Sequence, residues 1–375
     1  MTQNNYTQEV RAASAALLFS VLICASGLHA QQWNPRGPVP RSWHTAVYES
    51  ATGRMIIFGG LPDGSLTNRS LNDVFWLLNA SSLGRSMSWQ AVNPTGRPPA
   101  PRLAHSAVYD STNSRMIVFG GALGRSSPCE NDTWILNHAN GVAGTPAWLS
   151  VAAAGTAPHV RASHAAVYDP GSNRMIIFGG NDCSSGFFND VWVLSNANGL
   201  GGTPTWTQLS PAGAPPSPRE HLSAVYDPTN NIMIIFGGVD SDNDVFNDVW
   251  TLSNANGTGG TPTWTQLSPS NSPPPGREAP TATYDATNNR MTIFGGASSS
   301  ALLNDVWVLS GANGVGGPPA WTQLSPTGNV PPAPRYAHTA VYDPASNTMI
   351  VFAGQIDYTE IPVNDVFVLQ HANGL

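Results

Sequence analysis

The feature that most constrains this chain is a six-fold internal repeat. Successive copies lie 61, 59, 58, 58 and 58 residues apart, measured between equivalent arginines. A repeat of this length is one supersecondary unit that cannot bury its own apolar faces and must stack on its neighbours. The 375 residues therefore indicate one repeat array rather than two ordinary domains. These arginines are Arg41, Arg102, Arg161, Arg219, Arg277 and Arg335.

Each copy contains four short segments that read as strands, here called a, b, c and d. Segment a is typified by His44–Tyr48, segment b by the apolar run Met55–Gly60, and segment c by Asn189–Trp192, whereas segment d carries one tryptophan. The a–b connection Tyr226–Asn231 is rich in Asp, Pro and Asn, as a hairpin requires. No window has a sustained helical period. The pattern predicts an all-β, six-bladed β-propeller of four-stranded antiparallel blades.

The copies also set the expected domain boundaries. Residues 31–375 are expected to form one propeller, and residues 31–36, which carry Trp33, are expected to supply the missing fourth strand of the last blade. That strand would close the ring. The expected blades span about 41–92, 102–151, 161–210, 219–268, 277–325 and 335–370.

The first 30 residues are typical of a secretory signal peptide. Ala12–Ala25 is an apolar run too short to span a membrane, and Leu28–Ala30 offers a small-residue cleavage site. Cys24 leaves a lipid anchor as an alternative. We expect a secreted or periplasmic protein without membrane insertion, in which Cys129 and Cys183 form a disulfide.

The charge of the chain disfavours nucleic acid as a partner. The formal net charge is −7, and all basic residues are arginines that form no basic run. Nucleic acids and anionic membranes both require clustered positive charge. We therefore expect neither as a ligand.

The combination of an apolar run, Gly-Gly, an aromatic after Asn-Asp and a distant tryptophan resembles the Kelch-repeat family. The resemblance covers residues 31–375 and implies a six-bladed propeller with blades like those of the galactose oxidase central domain. The sixth copy departs from it with Ala353–Gly354, and the fifth has Pro280 where other copies have histidine. Galactose oxidases use copper with a Tyr–Cys crosslink, but no matching ligand set is recognisable here. Periplasmic sialic-acid epimerases also resemble this architecture.

Ligand binding is expected on one face of the propeller. The b–c and d–a loops share a face, and the b–c loops differ in every copy, whereas the c–d loops repeat almost unchanged. Variable loops on a uniform scaffold are where binding residues usually lie. A glycan or protein ligand is therefore expected on the b–c/d–a face.

Two interpretations apply to the residues that repeat. Each arginine and the aspartate that begins segment c can form a structural pair, or the arginines can form a ring that receives an anion. The histidines near the starts of segment a are expected to be structural, because copies in separate blades cannot converge on one metal ion. These histidines are His44, His105, His164, His221 and His338.

Residues that break the repeat are better candidates for a specific site. Glu220 and Glu278 each follow the repeated arginine, and with His221 they are candidates for acid–base catalysis. The expected ligand-binding residues combine aromatic side chains with the neighbouring arginines. They are Trp43, Tyr336, Tyr358, Arg219, Arg277 and Arg335.

One loop has the composition of a cation site. Asp240, Asp242 and Asp244 alternate along it, which suits Ca²⁺, although the glycine and distal glutamate of an EF-hand are missing. No other cofactor is expected. The sequence favours an extracytoplasmic binding module without a recognisable catalytic motif. The alternative is a sugar-acting enzyme, of the epimerase or oxidase/hydrolase class, that uses Glu220 and Glu278.

Overall fold

The computed structural model describes residues 37–62, 69–81, 86–125, 127–328, 330–358 and 361–375. The signal peptide expected at residues 1–30 and the closing strand expected at residues 31–36 lie outside the described residues. The described residues contain no α-helix. No helix in this part of the chain is long and apolar enough to cross a membrane.

The described residues form 23 strands, which follow the predicted a, b, c and d segments. The a strands are β1 (Thr45–Glu49), β5 (Ser106–Asp110), β9 (Ala165–Asp169), β13 (Ser223–Asp227), β17 (Thr281–Asp285) and β21 (Thr339–Asp343). The b strands are β2 (Arg54–Gly60), β6 (Arg115–Ala122), β10 (Arg174–Phe178), β14 (Ile232–Phe236), β18 (Arg290–Ala297) and β22 (Thr348–Gln355). The c strands are β3 (Leu71–Leu78), β7 (Cys129–Asn137), β11 (Val191–Ser195), β15 (Val249–Ser253), β19 (Leu302–Ser310) and β23 (Pro362–Gln370). The d strands are β4 (Ser88–Val92), β8 (Ala147–Val151), β12 (Thr205–Leu209), β16 (Thr263–Gln266) and β20 (Ala320–Leu324).

Within each sheet the strands pair antiparallel in chain order. Five sheets have four strands, and the described part of the sixth has three, β21–β22–β23. Each a strand lies beside the a strands of the two adjacent blades, and β1 lies beside both β5 and β21. The innermost strands therefore form a closed ring, and the predicted six-bladed all-β propeller is confirmed.

The hydrophobic core lies between blades. The phenylalanine of five b strands packs against the tryptophan of the d strand in the next blade, at ring-centroid distances of 4.7 to 5.4 Å. The pair Phe352–Trp89 joins the sixth blade to the first. Such contacts explain why single blades cannot fold alone, since their apolar faces are buried only by stacking. The pairs are Phe58–Trp148, Phe119–Trp206, Phe178–Trp264, Phe236–Trp321 and Phe352–Trp89.

The glycine pair at the end of strand b lets two segments approach closely. Gly60 has φ 99°, and a Cβ at this residue would lie 2.7 Å from the Cβ of His44 and from the carbonyl oxygen of Ser42. An L side chain is disfavoured there by both the backbone conformation and the space. The glycine pair therefore brings the b–c loop against the start of strand a, where the candidate site lies.

Candidate functional site

The site is built on a ring of backbone hydrogen bonds two residues after the repeated arginines. All six residues at this position have positive φ, between 46° and 56°. In five of them the amide donates to the carbonyl of the equivalent residue in the preceding blade, at 2.7 to 3.0 Å. The ring holds one side chain from each blade at one mouth of the central channel. These residues are Trp43, Ala104, Ser163, His221, Ala279 and Ala337.

The two largest side chains of this ring meet across the channel. Trp43 belongs to the first blade and His221 to the fourth, which lies opposite in a ring of six. Their rings are 4.4 Å apart between centroids and inclined by 30°. Together with the other members of the ring and the residues directly before the a strands, they line a cavity of about 140 Å³.

An aromatic row continues from Trp43 toward solvent. Trp43 contacts Tyr336 edge-on at 5.9 Å between ring centroids, and Tyr336 contacts Tyr358 at 6.4 Å. Tyr358 is 62% exposed. The structure therefore brings together the three aromatic residues that break the repeat in blades one and six.

Two carboxylates flank His221. Its Nδ1 lies 2.9 Å from Oε2 of Glu278, and its Nε2 lies 3.8 Å from Oε2 of Glu220. Burial disfavours the imidazolium, but the charge of Glu220 and the hydrogen bond and charge of Glu278 outweigh it and raise the pKa of His221 above its usual value. The three side chains are 16% to 30% exposed, so the imidazole and its two carboxylate neighbours lie at the edge of solvent.

His221 differs from the other repeated histidines, with which the sequence grouped it. It follows its arginine by two residues rather than three, and Leu222 takes the usual histidine position. Each of the other four histidines hydrogen-bonds through Nε2 to a Ser or Thr hydroxyl of an adjacent blade, at 2.8 to 2.9 Å. Burial and the neighbouring arginines lower the pKa of all four, to about 3 for His164 and His338. Those four are His44, His105, His164 and His338.

The carboxylates face an open groove of about 450 Å³. Glu220 and Glu278 lie on one side of it, with Asp240, the serine run Ser298–Ser300 and the exposed ring of Tyr358 around them. Hydroxyls, carboxylates and one accessible aromatic face line the same space. Such a groove can accept hydrogen bonds from a polar ligand and stack on its apolar face.

Asn181 belongs to this site and was missed in the sequence. Its Nδ2 donates a hydrogen bond to Oε2 of Glu220. It occupies the position directly after Gly-Gly, where four other copies have the apolar residues Leu61, Ala122, Val239 and Ala297. That departure from the repeat was the available signal.

Arg219, Arg277 and Arg335, which the sequence offers as ligand-binding residues, lie buried in the scaffold. Their side chains are 0% to 1% exposed, and each guanidinium makes a bidentate pair with the aspartate of strand c at 2.6 to 3.0 Å. Each Nη1 also donates to the backbone carbonyl at the first position of the glycine pair, and each Nε donates to the carbonyl two residues earlier. The structural interpretation of the Arg–Asp repeat therefore holds, and these arginines have no surface to offer a ligand.

The loop proposed to bind Ca²⁺ is held by its own hydrogen bonds. Oδ1 of Asp240 accepts from the amides of Asp242 and Asp244, each at 3.0 Å. No group of three His, Cys, Asp or Glu residues suited to a metal ion occurs among the described residues. The calcium site stays a prediction.

The two cysteines are joined on the same face as the groove. Cys129 begins β7 in the second blade, and Cys183 lies in the b–c loop of the third, with Cα atoms 5.5 Å apart in a disulfide. The bridge therefore joins the first residue of β7 to the b–c loop of the adjacent blade, close to Asn181.

Comparison with known proteins identifies the family. The model of the KLHDC2/KLHL20/DRC7 Kelch-repeats domain matches residues 17–195 and 202–331. The chain belongs to the Kelch-repeat family. Among Kelch relatives, it is 29% identical over 84% of its length to the Drosophila melanogaster leucine-zipper-like transcriptional regulator 1 homolog, covering 30% of that protein. It is 29% identical over 54% of its length to human host cell factor 2, covering 25% of it.

The Kelch chain spans less than a third of these relatives, so the likeness concerns their repeats. A solved structure, that of YjhT, superposes with a TM-score of 0.62 at 15% identity, covering 90% of this chain and 99% of YjhT. That likeness shows the fold alone. Kelch propellers generally serve as protein-interaction modules, and the coarse prediction of a binding module agrees with this.

Proposed function

We propose that this Kelch propeller is an extracytoplasmic binding module that holds its ligand in the groove beside Glu220 and Glu278. One observation carries the proposal. Residues that break the repeat in five different blades converge on one place, whereas residues that keep the repeat are used by the scaffold. They are Trp43, Asn181, Glu220, His221, Glu278, Tyr336 and Tyr358.

The groove favours a polar ligand with an apolar face. Carboxylates and serine hydroxyls accept hydrogen bonds from hydroxyl or amide groups, and Tyr358 offers a ring for stacking. A neutral glycan and a polar protein segment both have this chemistry. Export is part of the proposal, because the disulfide requires an oxidising compartment and residues 1–30 are typical of a signal peptide.

Binding by the mature protein to a glycan array and to a panel of secreted proteins tests the proposal. For the ligand found, Tyr358→Ala and Trp43→Ala should each weaken the binding free energy by about 1–3 kcal/mol. Tyr358→Ala should leave the melting temperature unchanged. The matched control is Val142→Ala, a change of an exposed c–d loop residue on the opposite face that should leave affinity intact. Equal affinities for all three variants would place the ligand elsewhere.

A sugar-acting enzyme is the second candidate, because His221 and Glu278 are hydrogen-bonded at 2.9 Å beside the groove. An imidazole oriented by a carboxylate is a competent general base. Glu278→Gln separates the two candidates. An enzyme should lose orders of magnitude in rate and keep its affinity, whereas a binding module should show only a modest change in affinity.

A further inference from the structure

We infer that Asn181 is a positioning residue for Glu220, and that the Cys129–Cys183 disulfide acts on the site by holding the Asn181 side chain in place. The inference concerns the proposed binding site, but its geometry is testable in the ligand-free protein. The chain of contacts runs from the disulfide through one backbone amide to the carboxamide of Asn181 and then to Glu220.

Both ends of the Asn181 carboxamide have partners. Oδ1 accepts a hydrogen bond from the amide of Cys183 at 2.7 Å, and Nδ2 donates to Oε2 of Glu220. With its oxygen bound to the loop, the carboxamide presents only its NH₂ group to the carboxylate. The same Oε2 of Glu220 lies 3.8 Å from Nε2 of His221, so Asn181 holds the carboxylate next to the imidazole.

The turn that supplies the Cys183 amide has an unfavourable backbone conformation. Cys183 has φ 61°, in the left-handed region that residues with a Cβ rarely adopt. Cys183 is exposed, and its partner Cys129 is buried at the start of β7. The bridge therefore anchors the exposed, strained turn to a buried strand of the neighbouring blade.

The disulfide also touches the backbone of Asn181, since Sγ of Cys129 lies 3.6 Å from its carbonyl oxygen, but that backbone is held independently of the bridge. The backbone of Asn181 pairs with Ala162 through two hydrogen bonds, at 2.9 and 3.0 Å. The first blade has the equivalent pair between Ser42 and Leu61, at 2.8 and 3.0 Å, without any cysteine there. What the bridge adds in the third blade is the position of the Cys183 amide, and hence the orientation of the carboxamide.

The pKa of His221 reports the position of Glu220 without any ligand. The charged groups facing His221 are Glu220 and Glu278, and both raise its pKa. When Glu220 loses its anchor, its carboxylate is free to turn toward the groove and solvent, and its attraction for the imidazolium weakens. NMR titration of the His221 ring in the ligand-free protein measures this directly.

The decisive experiment is a double-mutant cycle on that titration. Asn181→Leu should lower the proton affinity of His221 about threefold, and the paired change Cys129→Ser with Cys183→Ser should lower it in the same direction. If the disulfide acts through Asn181, removing it from the Asn181→Leu protein should produce no further change. Equal effects of the serine changes in both backgrounds, or no effect of either change, would overturn the inference.

Two controls keep the result interpretable. Asn189→Leu removes a scaffold carboxamide of the same blade, whose Nδ2 donates to the carbonyl of Pro216 at 3.0 Å, and it should leave the His221 titration unchanged. If the serine variants do not fold, wild-type protein is treated with a dithiol, which gives two electrons and two protons to the bridge and becomes a cyclic disulfide. Loss of ligand affinity plays no part in this test, so its failure is distinct from failure of the proposed function.

Discussion

Two charged regions lie within three residues of each other at the start of strand a, yet they have different roles. The Arg–Asp pairs recur in all six blades, and their guanidinium groups are 0% to 1% exposed and bound internally. The cluster of Glu220, His221 and Glu278 occurs once, and its two carboxylates line a groove of about 450 Å³. Adjacent positions of one segment thus have different roles. One belongs to a scaffold that must be the same in each blade, and the next belongs to a surface that can differ between blades.

The largest expected effect is on the scaffold side. Arg277→Ala should destabilise the protein by about 3–5 kcal/mol, because Asp305 loses its ion-pair partner and two backbone carbonyls lose a donor in a buried place. Asp305 retains the hydrogen bond from Nε1 of Trp307. Urea unfolding measures the change. Glu278→Gln, one residue along the chain, should stay within about 1 kcal/mol of wild type, and so should the exposed-residue control Arg97→Ala. Similar losses for Arg277→Ala and Glu278→Gln would break the comparison.

Removal of the disulfide should have the next largest effect. The bridge closes a loop between residues 54 apart, and its loss, by replacing both cysteines with serine, should cost about 2–4 kcal/mol. Thermal unfolding of oxidised and reduced wild-type protein measures the same quantity without mutation. Two titratable thiols in denatured, unreduced protein would show that the bridge does not form.

The pH dependence of stability should have opposite signs in the two regions. His164 has a folded pKa of about 3, so the unfolded chain binds more protons below about pH 6.5 and stability falls as the pH falls. His221 has a raised pKa, so its contribution is complete below its ordinary pKa and is lost as the pH rises through the folded value.

Two histidine variants test these signs by urea unfolding at pH 5, 7 and 9. His164→Gln should reduce the loss of stability between pH 7 and pH 5 by about 1–2 kcal/mol. His221→Gln should lower stability more at pH 5 than at pH 9. Equal slopes for both variants would mean that His221 is a fifth scaffold histidine.

The smallest expected effect concerns the loop beside the groove. If Asp240, Asp242 and Asp244 bind Ca²⁺, a concentration ten times the Kd should stabilise the protein by about 1.4 kcal/mol. The melting temperature in millimolar Ca²⁺ is compared with that in excess chelator. Asp242→Asn with Asp244→Asn should abolish the response, and an unchanged melting temperature in the wild type would exclude the site.

The sequence predicts the fold well because scaffold contacts follow the repeat. Three repeated features indicate contacts that the blades need: the Arg–Asp spacing, the glycine pair and the tryptophan of strand d. The aromatic and acidic site residues are also predictable, because Trp43, Glu220 and Tyr358 break that pattern. Arg277 lies near these residues in the sequence but is not a site residue, because the scaffold fixes the orientation of its side chain.

The remaining part of the site depends on contacts between blades. Asn181 reaches Glu220 from the neighbouring blade, through a b–c loop whose residues differ in every copy. His221 reaches Trp43 across the channel. Neither contact recurs from blade to blade, so the repeat pattern does not predict either of them. Two departures from the repeat were visible in the chain: Asn181 after the glycine pair, and the one-residue offset of His221 from the other histidines.

The ring of backbone hydrogen bonds at the channel mouth has a consequence for engineering. The ring is formed by backbone amides and carbonyls of these six residues. Their side chains can therefore be exchanged for others around the channel axis. The natural set already holds tryptophan, histidine, serine and alanine. Positive φ excludes β-branched residues most strongly, so a combinatorial library should omit Val, Ile and Thr. Three of the six positions hold alanine. At Ala104, Ala279 and Ala337, larger side chains that bind a new ligand can be introduced without redesigning a blade.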